Sequence, residues 1–278
     1  MDKRIKGFGI GFLLLIIMMV FVGCGAKQED EENSKNEEKI VEQSSEKESE
    51  TEIEPETEKY YTPVECFRYE IIDGEVTITG YKSKEKIFSI PETIEGYPVT
   101  KIGKAAFRDN RGILEVYLPS SVKEIEEAAF QFCRCLIKVE FSEGLEIIGD
   151  SAFSACNSIS QIKLPKSLKI ISDNAFYNNS LYDIVIPENV EIIGQAAFGM
   201  NELQEIVIPS TVKKIGQGAF RECRSLTKVV IEGANTELEY IWESVFNKSK
   251  MYLTVECLKD SLAEKYCIEY NINYKIME

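Results

Sequence analysis

The chain has 278 residues, and its 32 basic and 47 acidic side chains give a formal net charge of −15. This acidic balance disfavours nucleic acid and anionic membrane surfaces as partners of the folded part. Histidine is absent, which excludes Ser-His-Asp and Cys-His catalysis, histidine-ligated zinc and a histidine-based pH switch.

The amino-terminal segment has the layout of an export signal. Three basic residues among the first six precede an uncharged run, residues 7–23, rich in Leu, Ile, Met, Phe and Val, as is typical of a secretory signal. The run ends at Gly23-Cys24, which resembles a bacterial lipobox. The resemblance implies that residues 1–23 are removed and that a lipid on Cys24 anchors the protein in the membrane. An uncleaved transmembrane anchor is the alternative, because about 20 apolar residues suffice to span a bilayer; in both cases the chain after Cys24 is exported.

Residues 24–60 are predicted to be a disordered acidic tether that follows the lipidated cysteine. The segment consists mainly of Glu, Lys, Ser, Gln, Asn and Thr and has hardly any apolar side chains. Such a composition cannot offset the entropy cost of ordering the chain. A self-repelling tether of this length would hold the folded part clear of the membrane.

A period of 22 or 23 residues dominates the rest of the chain. It is marked by a Phe and by an Ile five positions before it. The Phe residues are Phe107, Phe130, Phe153, Phe176, Phe198, Phe220 and, in a looser seventh unit, Phe246; the Ile residues are Ile102, Ile125, Ile148, Ile171, Ile193, Ile215 and Ile241. Units this short cannot bury a core alone, so the pattern predicts a repeat solenoid whose stacked turns share one core.

A short strand is predicted after each of the first six Phe residues. Three columns of these strands contain only apolar residues and are expected to point inward. Proline, which stops a ladder because it lacks an N–H group, closes four of them, at Pro119, Pro165, Pro187 and Pro209. Stacked about 4.8 Å apart, the strands predict one parallel leucine-rich-repeat β-sheet over residues 99–247, with short turns outside the sheet.

Caps are predicted at both ends of the solenoid. Residues 61–98 form a β-rich amino-terminal cap whose strands near 67–70 and 74–81 pair as a hairpin. Residues 248–278 form a β-α-β carboxy-terminal cap, with Asp260 as the N-cap of a helix that ends near Tyr270. Such caps would cover an apolar face and a sheet edge that the terminal turns otherwise leave exposed.

The repeated string L-x-x-I-x-I-P-x-x-V-x-x-I-G-x-x-A-F resembles the leucine-rich repeats of the BspA-like family, over residues 61–278. The resemblance implies a bacterial cell-surface protein. Some members of that family adhere to host matrix proteins or to other bacteria, and many have no assigned partner. It brings no catalytic residues to positions of this chain.

Seven cysteines remain besides Cys24, so at least one is unpaired. Cys257 and Cys267 flank the predicted terminal helix and are the best candidates for a disulfide; buried free thiols are the alternative. Only Asn and Cys occur three positions after each Phe, and we expect these side chains to bond to backbone groups of the turns. They are Asn110, Cys133, Cys156, Asn179, Asn201 and Cys223. No cysteine spacing is typical of a metal site, so no metal or cofactor is predicted.

The outward face of the predicted sheet is the candidate binding surface. Tyr182, Val185, Val207 and Val230 would form an apolar strip on it, with Glu205 and Lys228 at the edge. The favoured hypothesis is a surface-anchored, non-catalytic binding or adhesion module that presents this face to a protein or glycan. The β-propensity of valine would also account for the strip without any ligand.

Two other classes of function stay open. A structural envelope protein would act by self-association or spacing and would have no external ligand. A carboxylate-based hydrolase is the third hypothesis, since two acidic side chains about 5 to 10 Å apart would suffice for it. The sequence has no insertion large enough to build a cleft, so the protein is predicted not to be an enzyme.

Overall fold

The computed structural model describes residues 62–239 and 252–278. The predicted signal, Cys24, the tether and the seventh unit with Ile241 and Phe246 lie outside these residues. A 3-10 turn, Val64–Cys66, precedes the first strand. The strands are β1 (Phe67–Ile72), β2 (Glu75–Tyr81), β3 (Ile87–Ser89), β4 (Thr93–Ile94), β5 (Tyr97–Ile102), β6 (Glu115–Tyr117), β7 (Glu124–Ile125), β8 (Lys138–Glu140), β9 (Ile147–Ile148), β10 (Ile170–Ile171), β11 (Ile192–Ile193), β12 (Glu205–Ile208), β13 (Lys214–Ile215), β14 (Lys228–Ile231), β15 (Glu237–Leu238), β16 (Thr254–Cys257) and β17 (Tyr274–Ile276); helix α1 spans Leu262–Tyr270.

The described chain is a parallel β-solenoid, as the repeats predict, and its longest ladder runs along the Ile column. This Ile ladder has the strand order β1-β2-β5-β7-β9-β10-β11-β13-β15. One short strand per turn pairs in register with the next, so that Ile148, Ile171 and Ile193 are neighbours. All three side chains are fully buried. The Ile column is therefore interior, as predicted.

The strands predicted after each Phe form two separate sheets. The first has the order β3-β6-β8 and the second the order β12-β14-β16-β17. Between them, residues 160–164 and 182–186 occupy the same place in the repeat but are not strands. The structure thus differs from the predicted single sheet over two successive turns. Residues 160–164 belong to the last unit of 23 residues and residues 182–186 to the first unit of 22 residues, so the change of period falls between the two unpaired segments.

The core is built around a column of stacked phenylalanine rings. From Phe107 to Phe220, neighbouring ring centroids lie 4.7 to 5.8 Å apart and the ring planes differ by only 3 to 8°. All six side chains are buried. Repetition at a fixed period places identical rings one above another, which is how units too short to fold alone share a core.

The segment of each turn that contains the stacked Phe, here called the Phe arc, has an unusual backbone. Residues two positions before and two positions after the Phe have positive φ, for example Ala128 and Phe132 around Phe130. At these turns the N–H groups of Ala128, Phe130 and Phe132 donate to carbonyl oxygens of the following turn, at 2.8 to 2.9 Å. The arc is therefore hydrogen-bonded to its neighbour although it contains no β-strand.

Glycine follows the buried Ile in four turns because successive turns approach closely there. A Cβ atom on Gly149 would lie 2.7 Å from the carbonyl oxygen of Ile125, and one on Gly216 would lie 2.6 Å from the amide nitrogen of Gln195. Neither glycine has positive φ. The requirement at these positions is thus for space between turns.

Each end of the described chain has additional elements. At the amino end β1 and β2 form an antiparallel hairpin, and Asp73 and Gly74 at its turn have φ of 51° and 78°, as a two-residue hairpin loop requires. At the carboxy end α1 lies between β16 and β17. The N-cap of α1 is Ser261, whose hydroxyl accepts a hydrogen bond from the N–H of Glu264 at 3.1 Å; the prediction of Asp260 is wrong by one residue. Among residues 62–239 and 252–278 no helix combines the length and apolar character needed to cross a membrane.

Candidate functional site

The candidate surface is the solvent-facing side of the two sheets and of the segments between them, residues 160–164 and 182–186. We call this surface the outward face. Its apolar members are exposed to different degrees: Val185 is 76 % exposed, Val207 48 % and Tyr182 44 %, while Val230 is partly buried. The structure brings Val207 and Val230 together as register partners in β12 and β14. Tyr182 and Val185 belong to the segment 182–186, which is not paired with β12 in a β-ladder.

The charged residues predicted at the edge of this strip form other pairs. Glu205 and Lys228 are register partners, but the ammonium group of Lys228 bonds to Glu256 on β16 at 3.2 Å. Glu205 has no ion pair among the described residues. Its carboxylate is therefore free to contact a ligand.

At the amino-terminal end of the outward face, a lysine likewise bonds to a carboxylate other than that of its register partner. Lys138 lies in register with Glu115, yet its ammonium group bonds to Glu140 at 2.9 Å and lies 4.8 Å from the centre of the Tyr117 ring. The hydrogen bond to Glu140 is the main reason that the pKa of Lys138 is raised. Glu115 instead accepts a hydrogen bond from the Tyr117 hydroxyl at 2.7 Å.

An open groove lies where the ladder is interrupted. It has a volume of about 1320 Å³ and is lined by residues 138–141, 143, 161–166 and 183–189. Among the described residues, no backbone hydrogen bond involves the peptide groups of residues 161–164 or 183–186. These peptide groups are therefore not paired with those of a neighbouring turn, although the residues occupy the same place in the repeat as β12 and β14.

Charge is distributed unevenly around the open groove. Residues 170–212 contain six acidic side chains and no basic one. Of these acidic residues, Asp183 and Glu188 line the groove, whereas Lys163 and Lys166 lie on the segment of the preceding turn. The carboxy-terminal wall of the groove is consequently acidic.

A second exposed apolar column, which the sequence analysis missed, lies on the Ile ladder. Ile147, Ile170 and Ile192 are register neighbours there; Ile192 is 37 % exposed and the other two are partly buried. In the sequence, each of these three residues directly precedes a buried Ile of the repeat, so the column could have been found there. We call these three residues the isoleucine patch.

Alternating charges border the isoleucine patch. The sequence places Lys123, Glu146, Lys169, Glu191 and Lys213 one per turn. Glu146 bonds to Lys169 at 2.8 Å and Glu191 to Lys213 at 2.6 Å. These hydrogen bonds are the main reason that the pKa values of Glu146 and Glu191 are lowered. The column is a row of exposed ion pairs, each of which contributes little to stability.

The Asn and Cys residues three positions after each Phe bond to backbone groups, as predicted: five of the six donate to carbonyl oxygens, and Asn110 accepts a hydrogen bond from the N–H of Gly112 at 3.0 Å. Cys133 donates to the carbonyl oxygen of Phe107 at 3.1 Å, and Cys156 and Cys223 make equivalent bonds in their turns. Asn201 donates to the carbonyl oxygens of Phe176 and Phe198 at 2.8 and 2.9 Å. These residues are structural, and burial raises the pKa of the Cys223 thiol to about 12.

Of the two alternatives for the cysteines that flank the terminal helix, the structure contains the buried free thiols. Cys257 and Cys267 are free and buried in the structure. Burial is the main reason that the pKa of Cys267 is raised to about 12, so its thiolate, the reactive form, is disfavoured. Cys135 is exposed and free.

Two observations concern metal binding and acid–base groups among the described residues. Across residues 62–239 and 252–278, no group of three or more His, Cys, Asp or Glu side chains could hold a metal ion. The pKa of Glu143 is lowered, chiefly because its carboxylate accepts a hydrogen bond from the backbone N–H of Lys166. This direction is opposite to that of a carboxyl serving as a general acid.

The comparison with family models places the chain in a known family. The BspA type leucine-rich repeat region matches in six copies, over residues 81–202 and 129–252. These ranges together include more than half of the chain, and the protein therefore belongs to the BspA-type leucine-rich repeat family. A comparison with curated proteins finds no match.

Solved structures of bacterial leucine-rich repeat proteins resemble this chain. A leucine-rich cell surface protein from Faecalibacterium prausnitzii is 28 % identical, with 62 % of this chain and 54 % of that chain covered and a TM-score of 0.51. A leucine-rich repeat protein from T. pallidum is 26 % identical, with 78 % and 97 % covered and a TM-score of 0.48. The chain spans about half the length of the Faecalibacterium protein, whose similarity supports the solenoid fold.

Proposed function

We propose that this protein is a non-catalytic binding module displayed on a bacterial cell surface, and that its outward face holds a protein or glycan partner. The observation that carries the proposal is the concentration of exposed Val185, Val207 and Tyr182 on the face where the ladder is interrupted. Exposed apolar side chains beside free carboxylates are typical of an interface with an apolar centre and a polar rim.

The surface location is supported by two further observations. The family match and the similarity to a cell surface protein of Faecalibacterium prausnitzii favour display outside the cell. The apolar run before Gly23-Cys24 is the corresponding signal in this chain. We propose a lipid on Cys24 as the anchor; an uncleaved transmembrane segment would serve the same display.

The proposal is tested by comparing two double variants in binding assays with immobilised matrix proteins and bacterial glycans. Tyr182→Ala with Val207→Asp changes the outward face, and we expect it to abolish binding of any ligand that the wild type retains. The matched control, Tyr97→Ala with Ile72→Asp, changes exposed residues away from this face and from the isoleucine patch, and it should bind as the wild type does. Both variants should melt near the wild-type temperature because exposed side chains contribute little to the core. A ligand whose affinity is unchanged by the first variant would place the binding site elsewhere.

The isoleucine patch favours a second candidate function, a structural envelope protein that acts by self-association. An apolar column bordered by ion pairs could pair with the same column on a second copy. Sedimentation over a range of concentrations should then show dimers that Ile170→Asp with Ile192→Asp dissolves. A monomer at all concentrations would remove this alternative.

A further inference from the structure

The isoleucine patch is the centre of a longer column whose charges are complementary to those of its own reverse. The column has seven residues, which are register neighbours on seven strands of the Ile ladder from β5 to β15. In chain order they are Lys101, Glu124, Ile147, Ile170, Ile192, Lys214 and Glu237. A Lys followed by a Glu therefore stands at each end of the patch. At the strand spacing of a sheet the column is about 30 Å long.

A second copy of the chain can face this column about a two-fold axis in two ways, and only one of them pairs opposite charges. An axis parallel to the stack of turns places each residue opposite itself, so that Lys101 faces Lys101 of the second copy. An axis perpendicular to the stack, at Ile170, reverses the order. Glu124 then faces Lys214 of the second copy, and Lys101 faces Glu237. Like charges in contact are costly at an interface, so the charges favour the reversed order.

The reversed order also brings the apolar side chains together. Ile147 faces Ile192 of the second copy, and Ile170 faces its own equivalent. Ile192 is 37 % exposed and the other two are partly buried, and removing their remaining apolar surface from water favours association. An apolar centre with charged ends is typical of a protein interface. Contacts that are repeated in both directions are typical of a two-fold dimer.

The charges at the two ends are already paired within each chain. Lys101 bonds to Glu124 at 2.7 Å, and Lys214 bonds to Glu239 at 2.7 Å. In the reversed order the first pair of one copy meets the second pair of the other, which gives a network of alternating sign. Each charge that the second copy covers then has a partner, as a covered charge requires.

The charges that border the isoleucine patch are compatible with this arrangement. Across the axis Glu146 would face Glu191, and Lys123 would face Lys213. Both carboxylates bond to a lysine of their own chain, Glu146 to Lys169 and Glu191 to Lys213. These side chains lie at the rim and stay in contact with water, where salt screens the repulsion.

We propose that two copies of this chain form an antiparallel dimer through the isoleucine patch, about a two-fold axis at Ile170, in which Glu124 of each copy bonds to Lys214 of the other. This inference rests on the second candidate function, self-association, and specifies which surfaces meet and in which orientation. It does not depend on a ligand at the outward face.

Two charge reversals test the orientation by sedimentation at concentrations from about 1 μM to about 1 mM, a range that includes weak interfaces. Glu124→Lys places lysines opposite each other at both ends of the dimer, and Lys214→Glu places carboxylates there. Each variant alone should dimerise at least about tenfold more weakly than the wild type. An equal mixture of the two variants should recover the dimer, because each copy then supplies the charge that the other requires. A misfolded variant would not recover on mixing.

Matched controls and melting curves complete the test. Asp183→Lys and Lys163→Glu make the same changes of net charge at exposed positions of the outward face, and they should dimerise as the wild type does. All four variants should melt near the wild-type temperature, since exposed charges contribute little to stability. A wild type that stays monomeric would overturn both this inference and self-association. Dimers that the single variants leave unchanged, or that mixing does not restore, would overturn the antiparallel arrangement alone.

Discussion

Left-handed backbone recurs in every turn of the solenoid, two residues on either side of the stacked Phe. Non-glycine residues fill most of these positions, including Ala105, whereas Gly218 occupies one of them in the Phe220 unit. The left-handed conformation costs an L-residue roughly 1 kcal/mol or more relative to glycine. The inter-turn hydrogen bonds of the arc, such as that from the N–H of Ala105 to the carbonyl oxygen of Glu127 at 3.0 Å, offset this cost.

A matched pair of glycine substitutions tests the cost of this backbone. Ala105→Gly should leave the free energy of unfolding unchanged or raise it by about 0.5 kcal/mol, because relief of the left-handed strain outweighs the added entropy of the unfolded chain. Ala106→Gly, at a buried neighbour without positive φ, should lower it by about 1 kcal/mol. Denaturant unfolding measures both values. Equal losses in the two variants would mean that the arc carries no such strain.

The buried Asn and Cys side chains allow a second test at this scale. Asn201→Ala removes an amide that donates to two carbonyl oxygens and accepts from the N–H of Leu181 at 3.0 Å. Leaving such buried groups unpaired should lower the free energy of unfolding by about 2 to 4 kcal/mol. Asn201→Cys should lose less, since Cys223 donates to the Phe198 carbonyl oxygen from the next turn. Identical losses for Ala and Cys would show that the side-chain donor is unimportant here.

At the scale of the elements, the Ile ladder is the continuous part of the structure. Its strands are only two residues long in most turns, but each adds to the same buried column. The sheets of the outward face have longer strands and are interrupted. The continuity of the Ile ladder therefore depends more on its buried side chains than on the length of its strands. The interruption of the other sheets coincides with the open groove on the outward face.

A charge in the centre of the Ile ladder should disrupt folding. Ile171→Asp would bury an unpaired carboxylate between two turns, which costs several kcal/mol and removes the contact on which both neighbours depend. Thermal melting by circular dichroism should show loss of the cooperative transition or a large fall in melting temperature. Val185→Asp, at a highly exposed position, is the control and should melt near the wild-type value. A soluble Ile171→Asp protein with wild-type melting would contradict the interior placement.

At the scale of the whole molecule, the described residues form a stacked domain whose turns depend on one another. Because each turn contacts only its neighbours, the binding surface is a property of several turns together. Tyr182 and Val185 lie on one turn, and Glu205 and Val207 lie on the next. A single unit cut from the solenoid would therefore carry neither the core nor the proposed site.

Cys24→Ser tests the proposed anchor. If a lipid on the thiol holds the protein at the membrane, the variant should be released or should accumulate as a slower-migrating, unprocessed precursor. Fractionation of cells followed by gel electrophoresis and immunoblotting distinguishes these results from the wild type. Cys135→Ser, which alters an exposed cysteine of the folded part, is the control. Unchanged membrane retention and mobility in Cys24→Ser would favour the transmembrane anchor.

The repeat period, the buried Phe and Ile columns and the bonding of Cys133 and Asn201 to the turns could all be predicted from the sequence. These features depend on side-chain type at a fixed spacing, and a one-dimensional pattern records such spacing completely. The isoleucine patch was also visible in the same alignment, one residue before the Ile column. It was missed because the pattern at that position mixes apolar and charged residues.

Only the tertiary structure decided which segments pair. The interruption at 160–164 and 182–186, the bond of Lys228 to Glu256 in place of Glu205, and the free thiols of Cys257 and Cys267 depend on where neighbouring turns lie in space. Backbone pairing requires donors and acceptors of two turns to lie within about 3 Å of each other. An ionic side chain can pair with any oppositely charged group within reach. The sequence by itself determined which side chains face the core, because burial follows the repeat; the arrangement of adjacent turns determined the exposed edges and charges that a partner would meet.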